Sequence, residues 1–188
     1  MRSQDASEAV LAATAALLEE AGYHGVTIEG VAKRAEVAKS TVYRWWKSKP
    51  ALVMDAYRHS VEQRMPTPDT GTLAGDLTLF TTELYRIAEH PLRVRALRGL
   101  MAEAQLDPAF AEEFRGWVES RRTVVKEILA RAADRGELAP GTDPDFAADQ
   151  VFGPFWYRLL VGHADLGPAL ARDHVAQLVE GLRGRGTG

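Results

Sequence analysis

Residues 27–49 read TIEGVAKRAEVAKSTVYRWWKSK, from Thr27 to Lys49, and the way this stretch divides decides the fold. Thr27 is placed to cap a helix running to about Ala35, with Glu29 in the first turn, where a carboxylate suits the helix dipole. Gly30 inside that helix costs ~1 kcal/mol against alanine. Ala35-Glu36-Val37 reads as a turn, and Ala38 to about Trp46 as a second short helix. Ala32 and Ala35 are small enough for two helices to cross steeply, while Val31, Val37 and Val42 give the pair its apolar side. Lys39, Ser40, Thr41, Tyr43, Arg44 and Trp45 are left for the outer face of the second helix.

Charge is concentrated in the same place. Four of the five lysines fall here (Lys33, Lys39, Lys47, Lys49). From Lys33 to Lys49 six cations and one anion give +5, which leaves −8 for the rest of a chain whose total is −3. A basic patch on an acidic body is the electrostatic footprint of a nucleic-acid partner, and the acidic body disfavours other orientations. A helix so placed enters a major groove with its N-terminal residues toward the base edges. Lys39 can reach guanine O6/N7, Thr41 a thymine methyl or a phosphate, and Tyr43 a phosphate through its hydroxyl. Lys49 opens the next helix, where a cation opposes the dipole; the choice makes sense if a DNA phosphate docks there. Thr27 and the amides after it offer a place for a second phosphate. The plain alternative is a solvated basic face, and for Tyr43 and Trp45 simple packing.

Outward from this stretch, Val10, Ala13, Leu17, Leu18 and Ala21 recur at helical spacing over residues 6–22, with Ser7 as cap and Gly22 as stop. Ser48 caps a helix that tolerates Pro50 in its first turn and runs to roughly Arg64. Met65-Pro66-Thr67-Pro68-Asp69 cannot continue it and forms a joint. Leu73, Leu77, Phe80, Leu84 and Ile87 make an apolar seam that ends at His90-Pro91, and Leu92 to Gln105 is another helix. Asp107-Pro108 opens a long helix with Phe114, Trp117, Val125, Ile128 and Ala132 on one face, closed by Gly136. After the turn PGTDP (140–144) the most apolar helix runs from Asp145 to His163; Pro154 inside it removes a hydrogen bond to Gln150 and should kink it. A last helix follows Gly167-Pro168, and the terminal RGRGTG reads as a frayed end. No stretch alternates with period two, so the class is all-α with about nine helices.

Hydrophobic content of 46% with 26% charged residues describes a soluble globular chain, not a disordered one. There is no apolar run near 18 residues and no secretory leader, so the expectation is a cytoplasmic protein without a membrane partner. Zero cysteines exclude disulfides and thiolate metal sites. The scarcity of lysine elsewhere and the abundance of alanine hint at a GC-rich bacterial genome.

The segment AGYHGVTIEGVAKRAEVAKSTVYRWWKSKPAL resembles the N-terminal domain of the TetR family of bacterial transcriptional regulators, over roughly Ala6 to Tyr57. The motif is tyrosine, an aromatic three residues on, then Ser-Lys opening the next helix. The resemblance implies a homodimer on a palindromic double-stranded DNA operator, a small-molecule effector bound in a C-terminal helical domain, and usually repression. It implies groove contacts at Lys39, Ser40, Thr41, Tyr43 and Trp45 and a phosphate contact at Lys49. Three positions depart from the pattern: Glu36 stands where glycine is usual, Ala38 where a hydroxyl cap is usual, and Trp46 where phenylalanine is common. The expected organisation is a helix-turn-helix domain (1–49), a connecting helix and joint (50–68), and a ligand-binding and dimerisation domain (69–188).

Phe80, Leu84, Phe114, Trp117, Phe152, Phe155 and Trp156 can line a ligand pocket or simply fill a core. Arg121 interrupts the seam of the long helix; it either meets an acidic group on a ligand or pairs internally, for instance with Glu83. Phe152, Leu159, Leu160, Leu170, Val175, Leu178 and Leu182 carry more apolar surface than a terminal helix pair needs, which points to a two-fold interface. The five histidines (His24, His59, His90, His163, His174) show no metal-ligand spacing, and no phosphate loop or nucleophile elbow occurs, so neither a metal, a cofactor nor an enzyme is expected. Two other readings remain: a constitutive architectural DNA-binding protein whose C-terminal part only dimerises, and an enzyme with an appended helix-turn-helix.

Overall fold

The structure, a computed structural model, describes residues 2–62 and 65–183. The expected helix end near Arg64 and the tail residues 184–188 lie outside the described residues. All regular structure among the described residues is helical. The helices are α1 (Arg2–Gly25), α2 (Ile28–Arg34), α3 (Lys39–Trp45), α4 (Lys49–Glu62), α5 (Leu73–Tyr85), α6 (Pro91–Leu106), α7 (Pro108–Asp134), α8 (Pro144–Val161) and α9 (Pro168–Leu182), with a 3-10 turn at Arg86–Glu89.

Most ends follow the local chemistry. The Thr27, Thr72, Asp107 and Asp143 side chains accept hydrogen bonds from backbone N–H groups in the first turns of α2, α5, α7 and α8. Ser7 does not cap α1, which begins at Arg2; Gly22 does break it, with φ 72 and ψ 179. After α7, Gly136 takes a left-handed φ of 74 and Glu137 N–H returns to Ala132 O at 2.9 Å, a glycine C-terminal closure.

The chain forms two compact units, and they do not follow chain order. One holds residues 2–62 together with 91–117; the other holds 65–90 and 118–183. The expected division put everything after residue 69 in one domain. The difference arises because α1 is a hub that packs on α2, α3, α4 and α6. Arg93 and Arg95 on α6 reach Glu19 of α1, one to its carboxylate and one to its carbonyl, each at 3.2 Å. Val10, Leu18, Val31, Val42, Leu52, Leu97, Leu100 and Phe110 are buried in this unit. Each such side chain contributes ~1.5–3 kcal/mol of apolar transfer energy.

In the second unit α5 packs along α9, and both meet α8. Leu73, Leu77, Phe80, Val125, Ile128, Ala132, Val151 and Val175 form its core. The long helix α7 therefore serves two cores, with Phe114 and Trp117 in the first and Val125 onward in the second. Arg122 on α7 gathers Glu119 and the carboxylates of Asp145 and Asp149, which ties the start of α8 to α7. Helix α8 runs on through Pro154 to Val161.

Candidate nucleic-acid interface

Helices α2 and α3 are joined by the four residues 35–38 and meet through small and apolar side chains. Val37 N–H bonds Ala32 O at 3.0 Å, and Val31, Ala32 and Val42 are buried. Glu36 sits in the turn with φ 55, the left-handed conformation in which glycine is favoured. Ala38 precedes α3 in extended conformation and offers no side-chain cap. Both departures noted in the sequence are thus visible in the backbone.

With Val42 and Trp46 facing inward, α3 presents Lys39, Ser40, Tyr43 and Arg44 to solvent, and Thr41 and Trp45 half-exposed. The Trp45 ring meets Trp46 edge-on at 5.6 Å, so it is braced at the base of the outer face. Trp46 adds a contact that phenylalanine could not: its indole N–H donates to Asp55 Oδ2 of α4 at 2.9 Å. Lys39 is paired with the Glu29 carboxylate of α2, Nζ to Oε1 at 2.5 Å. The ammonium holds the Glu29 carboxyl below its usual range. Glu29 was legible in the sequence only as a first-turn acid. Thr27 is exposed, and its hydroxyl oxygen is engaged as the α2 cap.

Lys49 is the first residue of α4, as expected, and its ammonium is engaged by an aromatic ring. The ammonium lies over the Tyr23 ring, 4.2 Å from the centroid. Burial there lowers its pKa, partly offset by the charge of Glu103. Tyr23 in turn is pushed up to about 12 by burial and by Glu103 and Asp107.

The second unit holds most of the other candidates. Phe80 meets Phe152 edge-on at 5.8 Å, and Phe155 packs against Trp156 and stacks with Tyr85. Phe80 and Phe155 are fully inside; Leu84, Phe152 and Trp156 are half-buried. Phe114 and Trp117 belong instead to the first unit, in contact with each other, and Trp117 also meets Tyr57 edge-on. Arg121 is half-buried in the second unit, and Glu83, its expected internal partner, is held by Arg86. Of the expected interface residues, Leu159, Val175, Leu178 and Leu182 are buried inside their own unit, Phe152 and Leu170 are half-buried, and Leu160 is exposed. The outward apolar stripe is on α8 instead: Phe146, Gly153, Tyr157, Leu160 and Val161. These recur at helical spacing, and the row was legible in the sequence; its direction was not.

His174 was read only as one of five scattered histidines. Its Nε2 lies 3.0 Å from Gln150 O, and its Nδ1 2.9 Å from the Tyr85 hydroxyl. A carbonyl can only accept, so Nε2–H donates to Gln150, and neutral Nδ1 accepts from Tyr85. Gln150 O is the acceptor that Pro154 leaves without its helical donor. Among the described residues no group of three or more His, Asp or Glu is placed to hold a metal ion, and no helix is long and apolar enough to cross a membrane.

This geometry has close counterparts. Residues 10–56 match the family model described as bacterial regulatory proteins, tetR family, and residues 67–178 match the tetracyclin repressor-like C-terminal domain. The chain belongs to the TetR family. It is similar to the HTH-type transcriptional regulator YdeS of Bacillus subtilis, 33% identical over 97% of this chain and 92% of the relative. It is 35% identical to the regulator AqdR of Rhodococcus erythropolis over 72% of this chain and 65% of that one. Among solved structures, the TetR family transcription regulator SCO0332 superposes with a TM-score of 0.83 at 32% identity, over 95% of this chain and 98% of the other. FadR from Bacillus subtilis, solved in complex with stearoyl-CoA, shares the fold with a TM-score of 0.74 at 21% identity, over 93% and 98%. The chain is a TetR-type helix-turn-helix transcriptional regulator.

Proposed function

We propose that the protein is a homodimeric repressor that reads a palindromic operator with α3 and is released by a small-molecule effector. The observation that carries the reading is the division of α3. Its inner residues, Val42 and Trp46, anchor it, while Lys39, Ser40, Tyr43 and Arg44 face outward with a net positive charge. Lys39 and Arg44 are the base-reading candidates, and Ser40, Thr41, Tyr43 and Trp45 set the helix on the backbone. Thr27 and Lys49 flank it as phosphate contacts.

Two copies meet through the α8 stripe of Phe146, Tyr157, Leu160 and Val161, beside a groove lined by Gln150, Gly153, His174 and Gln177. Two-fold symmetry would place the α3 helices on half-sites about 34–36 Å apart. The effector is an apolar molecule received along Leu84, Phe152 and Trp156, with Arg121 meeting an anionic end. The FadR complex with stearoyl-CoA supports that chemistry on the same fold. Release requires the effector to favour one arrangement of the dimer over the other.

The test is selection of bound duplexes from a random-sequence pool, followed by a shift assay on the DNA flanking the gene. Enrichment of an inverted repeat bound by a dimer supports the reading. A pool that stays random, or a monomer on DNA, refutes it.

A further inference from the structure

The Lys39–Glu29 pair has no evident structural duty. Both side chains are more than half exposed, 55% for Lys39 and 64% for Glu29, and an ion pair in water contributes little to stability. The helices it spans are already joined by the Val37–Ala32 hydrogen bond and by buried Val31 and Val42. The neighbouring pair of Arg34 with Glu20 differs, because it ties α2 to α1 through two hydrogen bonds at 2.7 and 2.8 Å. What sets Lys39 apart is its position, the first residue of the helix whose outer face reads the groove.

We propose that Glu29 is a positioning residue that sets sequence specificity by holding Lys39 away from indiscriminate phosphate contact. The inference rests on the reading of α3 as the groove-entering helix. The paired charges sum to zero. To neutralise a phosphate, Lys39 must abandon Glu29, which strands a carboxylate beside a polyanion. Binding to arbitrary DNA therefore gains nothing from this cation. A lysine ammonium has three protons, however, and Glu29 Oε1 occupies one. The other two remain for a pair of acceptors in line with α3, and guanine O6/N7 presents that pair in the major groove. Glu29 thus turns a general cation into a reader of guanine, acting across the turn from ten residues away.

The test compares wild type, Glu29→Gln, Glu29→Asp, Lys39→Ala and the Glu29→Gln, Lys39→Ala double variant on two probes, a random-sequence duplex and the best duplex that wild type selects from a random pool. Glu29→Gln should tighten binding to the random duplex on the order of tenfold at about 50 mM salt and steepen its salt slope by about 0.9, one added phosphate contact. Affinity for the selected duplex should change less, so the ratio between the two probes falls. Glu29→Asp keeps the charge but shortens the reach, so it should steepen the slope less than Glu29→Gln does, because a carboxylate stays beside the DNA. In the Lys39→Ala background, Glu29→Gln should leave the slope unchanged. If Glu29→Gln tightens random-duplex binding equally with and without Lys39, the carboxylate only repels DNA and the proposal fails. It also fails if wild type selects a clear consensus and Glu29→Gln leaves the ratio unaltered. A wild type that selects no consensus overturns the underlying reading of α3 instead.

Discussion

The α2–α3 face of the first unit and the core of the second satisfy their polar groups in different places. In the first, the polar pairs sit at the rim: Arg34 with Glu20 and Lys39 with Glu29, all four side chains exposed. Water can replace any of these partners at small cost, so such groups can be given over to another molecule. In the core of the second they are inside. Asp76 is fully buried and accepts from Thr70 N–H at 2.5 Å and from the Thr70 hydroxyl at 2.8 Å. His174 bridges the buried Tyr85 hydroxyl to Gln150 O. Water reaches Asp76 and the Tyr85 hydroxyl poorly, so a lost partner there costs the full desolvation of what remains. The rim arrangement suits a surface that exchanges partners, and the buried one suits a body that must keep its shape.

The sharpest way to break this contrast is Asp76→Ala. The substitution strips Thr70 of its acceptor and leaves Arg131, whose Nη2 lies 3.6 Å from Asp76 Oδ2, beside an emptied pocket. A loss of about 3 kcal/mol is expected, for the two hydrogen bonds from Thr70 to a buried carboxylate. Urea denaturation followed by circular dichroism measures it; a loss under about 1 kcal/mol would place Asp76 with the rim pairs.

His174→Leu is next, at about 1.5 kcal/mol, since it leaves the buried Tyr85 hydroxyl without its partner, while water can take up the exposed Gln150 carbonyl. It carries a pH signature. Burial lowers the His174 pKa below its ordinary 6.5, partly offset by the bond to Gln150. The unfolded chain therefore takes up a proton near pH 6.5 that the native ring refuses. The stability is fully present above that pH, and it declines as pH falls toward the native pKa of the ring. His174→Leu should flatten that part of the pH profile, and an unchanged profile would assign the titration to another group.

What could be read in the sequence was what local spacing determines. The Thr27 cap, the inward Val42 and Trp46, and the outward Lys39, Ser40, Tyr43 and Arg44 all follow from three- and four-residue offsets on one short helix. The Glu29–Lys39 pair did not follow, because the helix crossing decides which residues ten apart will meet. In the second unit the seams were legible as apolar, but a 3.6-residue period fits a core and an interface equally well. Leu159, Val175, Leu178 and Leu182 therefore read as surface for a partner although they face their own core. The partition of α7 and the place of α6 depend on which helix becomes the hub, and no local signal encodes that. One signal went unused: Pro154 leaves Gln150 O without its helical donor, and an acceptor of that kind is open to a donor from elsewhere in the fold, here His174.

Lys49 tests whether a residue can belong to both regimes. It has the rim address of a phosphate contact, at the start of α4, and a partly buried position over Tyr23. If the ammonium leaves the ring to meet a phosphate, Lys49→Ala should weaken binding to all sequences alike and lower the salt slope by about 0.9. The same substitution removes the contact with Tyr23, so it should also cost about 0.5 kcal/mol of stability in the free protein. The two effects separate cleanly, since one is read on DNA as a function of salt and the other without DNA in urea. A stability loss with an unchanged salt slope would make Lys49 a packing residue of the first unit, held by Tyr23 in the bound state too. A changed base preference with an unchanged slope would move it among the readers. Desolvation works against the packed position, because it lowers the pKa of the ammonium there, and a phosphate would return a full counter-charge. That imbalance favours the ring as the resting place of Lys49 and the phosphate as its destination.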